Sequence, residues 1–298
     1  MKLLPFFAAA LSLMAVVPAF AQGQDFSKVE EKVTELGHGL YAVTGAGGNT
    51  TIAVGSDAVV VVDTQFAPVY DKLKAAISGL SPFPVKYVIN THYHGDHTGG
   101  NEAFAKAGAT LVAYETVPDR MLHPFPGPNG PVPPAPAGAI PTKLYSGSST
   151  TVTIPGVTAD LVHPAPAHSD TDTIVIWKAA NVISTGDIVG SATYPNIDVA
   201  SGGGIEGMIA ATDYVIAHAD AQTKIVPGHG PVTDKAGVIA YRAMLATARD
   251  RIAKAKAAGQ TEDQVAADTG LLADLDVRWK APGNAPSRFP RLVYESVK

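Results

Sequence analysis

The sequence predicts an α/β protein in which two similar layers, each strand-rich and then helical, pack sheet to sheet. Two observations carry this prediction. Short runs rich in Val, Ile and Thr recur through both halves of the chain, and in each half they give way to apolar residues at helical spacing. No sequence repeat is strong enough to relate the two halves directly.

In chain order, the first residues stand outside the fold. Met1-Lys2 is a short basic start, Leu3 to Phe20 is apolar, and Ala19-Phe20-Ala21 has the small-x-small form of a signal-peptidase site. This predicts a secretory signal cleaved after Ala21, a mature chain of 22–298 and a periplasmic or secreted location. The alternative is a membrane anchor. Pro5 and Pro18 interrupt the run, and the uninterrupted part is short for a bilayer span. No cysteine follows it, which excludes a lipoprotein anchor.

Tyr41-Ala42-Val43 and Thr51 to Val54 read as strands around the Gly-rich turn Gly45 to Asn49. Ala58 to Val62 is a continuous apolar run ending at Asp63, which fits a buried strand. Val69, Leu73, Ala76 and Ile77 fall on one helical face, and Gly79 and Pro82 end that helix. Val85 to Ile89 is a further strand, Asn101 to Ala107 a short helix and Thr110 to Val112 a strand. The second series has strands at Thr151–Ile154, Thr158–Val162, Thr173–Trp177, Val182–Ser184 and Lys224–Val226. It has helices at about 205–218 and 235–258, the latter with a solvated face of Arg242, Arg249, Arg251, Lys254 and Lys256. Val117 to Pro141 holds nine prolines and is expected to form neither regular helix nor sheet. It reads either as a surface linker or as a stiff loop bordering the site, with Met121, Leu122 and Phe125 as its apolar contacts.

Apolar residues make up 46% of the chain and charged residues 16%, which suits a globular enzyme. The formal charge of −5 becomes −6 when Lys2 leaves with the signal, and there is no basic block. A nucleic-acid partner is therefore not expected, nor a membrane partner after cleavage; the expected partner is a small-molecule substrate. The chain has no cysteine, so it has neither disulfides nor thiolate ligands.

The most specific stretch is His92-Tyr93-His94-Gly95-Asp96-His97, which follows the strand ending at Ile89. Imidazole and carboxylate are the nitrogen and oxygen donors that hold zinc, and manganese or iron also fit such a set. In an extended stretch His92 and His94 project the same way and can grip one ion, leaving Asp96 and His97 to turn toward a second. Gly95, Gly99 and Gly100 supply a tight turn around the cluster. Two later motifs add histidines, Ala167-His168-Ser169-Asp170 and Pro227-Gly228-His229-Gly230. Taken alone, His168 could equally be a capping or core residue, and Asp187 in Thr185-Gly186-Asp187 a turn residue. His38, His123, His163 and His218 match no ligand motif and read as structural or exposed.

The spacing His-x-His-x-Asp-His resembles the signature of the metallo-β-lactamase superfamily. The resemblance extends to Asp63 at its strand end, His168, Asp187 and His229, and covers roughly 38–245. It implies a four-layered αβ/βα sandwich, here as a single catalytic domain over 22–298 with a C-terminal helical extension. It also implies two zinc ions per chain. One would be held by His92, His94 and His168, the other by Asp96, His97 and His229, with Asp187 bridging both. Asp63 is a candidate for orienting a ligand by hydrogen bond, and equally a turn residue.

Two such ions roughly 3.5–4 Å apart can share a water and make it hydroxide at neutral pH. Asp96 is the candidate catalytic carboxylate, managing the proton while it ligates. A carboxylate bridge at Asp187 is typical, by the resemblance, of thioesterases, lactonases and phosphodiesterases. The missing Cys ligand departs from the best-known β-lactamase subclass, whereas export favours a β-lactam over a glutathione thioester. The C-terminal half, especially Ile197 to Gly203, resembles exported β-lactamase-like hydrolases or cyclases. The sequence thus points first to an exported dinuclear zinc hydrolase opening a cyclic amide or ester such as a β-lactam. The alternatives are an acyl-homoserine lactonase, a glyoxalase-II-like thioesterase and, in another class, a non-catalytic metal- or partner-binding module. A redox member would carry Glu where this chain has His94. Tyr194 could reach the site or pack in its loop.

Overall fold

Four consecutive valines, Val59–Val62, form strand β4, and all four are buried. A strand buried on both faces belongs inside a sheet covered on both sides. The computed structural model, which describes residues 25–127, 130–280 and 288–298, places it there. The expected signal segment, 1–21, lies outside the described residues. The first sheet has the order β1 (Lys32–Gly37), β2 (Leu40–Thr44), β3 (Thr50–Val54), β4, β5 (Val85–Ile89), β6 (Thr110–Tyr114) and β9 (Lys143–Tyr145). Its first four strands are antiparallel, and β4, β5, β6 and β9 run parallel. Parallel pairing requires crossovers. Helix α1 (Tyr70–Leu80) joins β4 to β5, and α2 (Gly95–Thr98) and α3 (Asn101–Lys106) lie between β5 and β6.

The second sheet has the order β10 (Ser149–Ile154), β11 (Val157–Val162), β12 (Ile174–Trp177), β13 (Val182–Ser184) and β14 (Lys224–Val226). Only its last pair, β13 and β14, is parallel, and helix α5 (Ile205–His218) makes that crossover. Helix α6 (Lys235–Ala257) follows, with the Asp234 side chain accepting from Gly237 N at its start.

Strand alternation divides the core into layers. Val60, Val62, Ile89 and Val112 of the first sheet meet Leu161, Val175 and Trp177 of the second. Val59, Val61 and Val88 turn outward onto Leu73, Ile77 and Phe104 of α1 and α3. On the far side Ile174, Ile176, Ile183 and Ile225 pack against Met208, Val215, Val238 and Leu245 of α5 and α6. The order is helix, sheet, sheet, helix, the four-layered αβ/βα sandwich. The C-terminal helices α7 (Glu262–Ala267), α8 (Ala273–Trp279) and α9 (Arg288–Ser296) extend the outer helical layer, burying Val265, Trp279 and Val293 against it.

The proline-rich segment departs from expectation. It contains helix α4 (Val117–Leu122) and a hairpin of β7 (Phe125–Gly127) and β8 (Gly130–Val132). Proline is compatible with both because of where it falls. Pro118 lies in the first turn of α4, where an N–H has no helical acceptor. Pro126 and Pro131 face each other in the register, so neither has to supply an N–H to the other, the position a two-stranded ladder leaves open to proline. Met121 is buried against Tyr93 with Val117 and Ala139, so the segment rests on the histidine loop, while Leu122 is half exposed. The basic face of α6 is also more than solvated. Arg242 pairs with Asp213, Arg249 with Glu206, and Arg251 with Asp274, tying α6 to α5 and α8.

Candidate metal centre

The carboxyl ends of β4, β5, β13 and β14 meet at one edge of the sandwich, and the loops leaving them carry the polar residues. At the end of β4, Asp63 adopts a left-handed backbone, φ 61°, that aims its buried carboxylate at the next loop. His92 and His94 follow β5, His94 on extended backbone. The short turn α2 then redirects Asp96 and His97, with His97 N donating to His94 O at 3.0 Å. His168 lies in the β11–β12 loop, where the buried Asp172 carboxylate accepts from His168 N and Ser169 N. Asp187 follows β13, and His229 follows β14.

Two groups result. His92, His94, His168 and Asp187 form one and Asp96, His97 and His229 the other; within each, one donor atom per residue lies within 4.8 Å of the rest. In the first group His94 Nδ1 is 3.2 Å from His92 Nε2 and 3.0 Å from His168 Nε2. In the second, His229 Nε2 is 3.3 Å from His97 Nε2 and 3.2 Å from Asp96 Oδ2. Asp187 stands between them. Its Oδ1 faces His97 Nε2 at 3.2 Å and His229 Nε2 at 3.4 Å, and its Oδ2 faces His168 Nε2 at 3.7 Å.

Outward hydrogen bonds determine which ring nitrogens face inward as acceptors. Thr91 Oγ1 donates to Asp63 Oδ2 at 2.7 Å, so it accepts from His92 Nδ1 at 3.1 Å. His168 Nδ1 donates to the Asn196 carbonyl at 2.7 Å, His94 Nε2 to Asp198 Oδ2 at 3.0 Å, and His97 Nδ1 to Asp63 Oδ2 at 2.7 Å. In the first group, three lone pairs therefore point at one another across about 3 Å. Buried acceptors facing only acceptors are costly. Asp187 Oδ1 is likewise buried with no hydrogen-bond partner of good geometry. A cation satisfies every one of these atoms, and nitrogen and oxygen donors without thiolate suit zinc. The residues present fit a metal.

The electrostatics agree. Burial, with the neighbouring histidines, holds the His92 imidazole well below its usual range, so it is neutral as a ligand must be. Burial also opposes charge on His97, but the Asp187, Asp96 and Asp63 carboxylates outweigh it and raise this imidazole well above its usual range. The Asp187 charge does the same to His229, which is pushed up to about 10. Burial pushes the Asp187 and Asp96 carboxyls up, yet His97 and His229 hold both below the usual carboxylate range. In the ion-free protein, protons occupy the positive role at the second group.

All seven residues singled out as ligands thus converge, and Asp63 orients His97. Tyr194 turns away: its hydroxyl donates to Asp276 at 2.9 Å and its ring stacks on Phe289. His163 stacks on Tyr114, His218 on Tyr214, and His123 lies exposed on Asp119 O. Four supporting residues were not singled out as site residues in the sequence, although Asp198 lies within the Ile197–Gly203 stretch. Asn49 donates to Pro227 O at 2.9 Å and Gly230 O at 2.7 Å, which fixes the His229 turn from the opposite sheet. Thr91, Asn196 and Asp198 hold the outer ring nitrogens. Gly48 and Gly228 are glycine for a steric reason, since a Cβ would overlap the His97 ring at one and Asp187 Oδ1 at the other.

Comparison with known proteins is consistent with this geometry. The family described as the metallo-beta-lactamase superfamily matches residues 43–239. The alpha subunit of 2,4-dinitroanisole O-demethylase from Nocardioides sp. (strain JS1661) is 26% identical over 161 residues, which is 53% of this chain and 46% of that one. A metallo-beta-lactamase from Pontibacter korlensis superposes with a TM-score of 0.61 at 18% identity, covering 73% of this chain and 99% of its own. The stereoselective inverting sec-alkylsulfatase Pisa1 from Pseudomonas sp. superposes with a TM-score of 0.70 at 19% identity, covering 89% of this chain and 50% of its own. The chain spans about half the length of the demethylase subunit and of the alkylsulfatase.

Proposed function

Since the chain belongs to the metallo-β-lactamase superfamily, we propose that it is an exported hydrolase holding two zinc ions and opening a cyclic amide or ester, with β-lactams the first substrate class to test. The observation that carries the reading is Asp187, whose two oxygens face the two donor groups separately and whose Oδ1 is buried without a hydrogen bond. His92, His94 and His168 would hold one ion, Asp96, His97 and His229 the other, and Asp187 both. When bound, two such ions supply an acidified water as nucleophile and a Lewis-acid contact for the substrate oxygen. Export rests on the Leu3–Phe20 run and the Ala19-Phe20-Ala21 site.

The chain's own residues do the positioning. Asp63, Thr91, Asn196 and Asp198 keep the outer ring nitrogens as donors, so the inner ones stay available. Asp96, with its side chain partly exposed at the cleft, is the carboxylate placed to take a proton from the reacting water and return it to the leaving group. Asp96→Asn keeps an oxygen donor without the basicity, and should lower kcat more than metal content.

Lactone or thioester hydrolysis is the second reading. It is favoured by the all-nitrogen-and-oxygen donor set and the carboxylate between the two groups. Zinc content of the purified mature protein, with a panel of chromogenic lactam, lactone, thioester and phosphodiester substrates, separates the readings. His94→Ala and Asp187→Ala should each lose bound zinc, and unchanged metal content in both would refute the assigned centre. Zinc-loaded protein that cleaves no β-lactam removes that substrate class alone. Sequencing the N-terminus of exported protein should begin at Gln22.

A further inference from the structure

The segment Asn196 to Gly203 lies outside the ligand set, yet it touches two of the ligands from behind. Asp198 Oδ2 accepts from His94 Nε2 at 3.0 Å and from the Tyr93 hydroxyl at 2.5 Å. The Tyr93 oxygen is 2.8 Å from Ser201 Oγ; since its own proton goes to Asp198, it accepts from Ser201. Asp198 Oδ1 accepts from Ser201 N at 3.2 Å. The backbone of the same turn is pinned to the other ligand: Asp198 N donates to His168 O at 2.8 Å, and Asn196 O accepts from His168 Nδ1. Gly203 packs so closely on His168 O that a Cβ could not fit.

We propose that Asp198 is a positioning residue that locks the tautomer of His94, keeping the ring proton on Nε2 so that Nδ1 stays an acceptor facing His92 and His168. The lock is chemical as well as geometric. An ionised carboxylate only accepts, so the nitrogen beside it must donate. His94 alone among the first three histidines offers Nδ1 to the group, and that choice is dictated from outside the group. Tyr93, between the two ligands in sequence, aims the carboxylate through its hydroxyl. The role rests on the proposed metal centre for its consequence, but the tautomer itself is a property of the ion-free protein.

The test uses the mature protein without metal and two variants. Long-range ¹H–¹⁵N NMR should show His94 as the Nε2–H form in the parent. In Asp198→Ala and Asp198→Leu no acceptor faces Nε2, so His94 should lose its single form and populate Nδ1–H. His168, held by the Asn196 carbonyl, should keep its form in both, which separates loss of the lock from general loosening of the turn. Zn²⁺ titration with a competing chelator, in a His229→Ala background that confines binding to the first group, should show a 10- to 100-fold weaker affinity in both variants. Tyr93→Phe leaves the Asp198–His94 bond in place and should change affinity only a few-fold. Retention of the Nε2–H form with parental zinc affinity in both Asp198 variants overturns the proposal. If the parent binds no zinc, the metal-centre reading falls, while the NMR result still decides the tautomer lock.

Discussion

Asp63→Ala gives a sharp test of how the second donor group is assembled. The Asp63 carboxylate is buried and accepts three hydrogen bonds, from Thr91 N at 2.8 Å, Thr91 Oγ1 at 2.7 Å and His97 Nδ1 at 2.7 Å. Alanine removes the acceptor of all three. A buried Nδ1–H without an acceptor is costly, and His97 in its neutral form is relieved by moving its proton to Nε2, the nitrogen that faces Asp187 and Asp96. That removes a ligand from the second group and leaves the first almost intact, since only Thr91 connects Asp63 to His92. A hydrogen bond to a charged group contributes about 1.5–3 kcal/mol. Loss of such a ligand-orienting partner costs about 10- to 100-fold in metal affinity, the same range in free energy. Chelator-competed Zn²⁺ titration should show the second equivalent weakened by that factor and the first changed by less than about threefold. If both equivalents bind as in the parent, the tautomer argument for His97 is wrong.

Other expectations follow from the same contacts. His229, pushed up to about 10, and His97, raised well above its usual range by the Asp187, Asp96 and Asp63 carboxylates, hold protons in the ion-free protein, so zinc binding at neutral pH should release protons. Because those raised imidazoles compete with metal below their pKa, affinity for the second equivalent should climb about tenfold per pH unit for each proton displaced. Calorimetry in buffers of different ionisation enthalpy reads this directly, and a buffer-independent heat would contradict it. Asn49→Ala removes two hydrogen bonds to the His229 turn and should cost about 1–3 kcal/mol in urea unfolding while weakening the second zinc equivalent. Chelation should lower the Tm by several degrees, since ligand at a thousandfold over Kd contributes about 4 kcal/mol.

The two-layer architecture was legible because strands buried on both faces leave continuous apolar runs, as at Val59 to Val62, and amphipathic helices leave periodic ones, as at Val69 to Ile77. Strand β1 was not anticipated: four of its six residues are exposed, so no alternation marks it. Strand β9 has three residues, too few to carry a pattern. In the proline-rich segment, composition outweighed position. Pro118, Pro126 and Pro131 sit where a missing N–H is not needed, which the helix start and the pairing of Pro126 with Pro131 make visible. The ligands were legible because imidazole-carboxylate clusters have few other uses. Their supports were not, because Thr91, Asn49 and Asn196 are ordinary residues whose roles depend on partners up to 181 positions away.

The centre depends on the closed sandwich. His92, His94, Asp96 and His97 come from the first sheet's β5 loop, whereas His168, Asp187 and His229 come from three loops of the second. Neither donor group is complete within one layer. Contacts beside it cross the same seam without metal: Thr51 Oγ1 meets Ser184 Oγ at 2.8 Å, and Thr173 N donates to Thr91 O at 2.7 Å. These neutral bonds register the layers before any ion binds, so the inward-facing nitrogens are preorganised rather than gathered by the cation. In the first group the preorganised acceptors of His92, His94 and His168 remain mutually unsatisfied until a cation arrives, and that stored repulsion adds to its affinity. The cost of the site falls on the ion-free fold, where the apolar core between Val60, Val62, Leu161 and Val175 must hold the layers together against it.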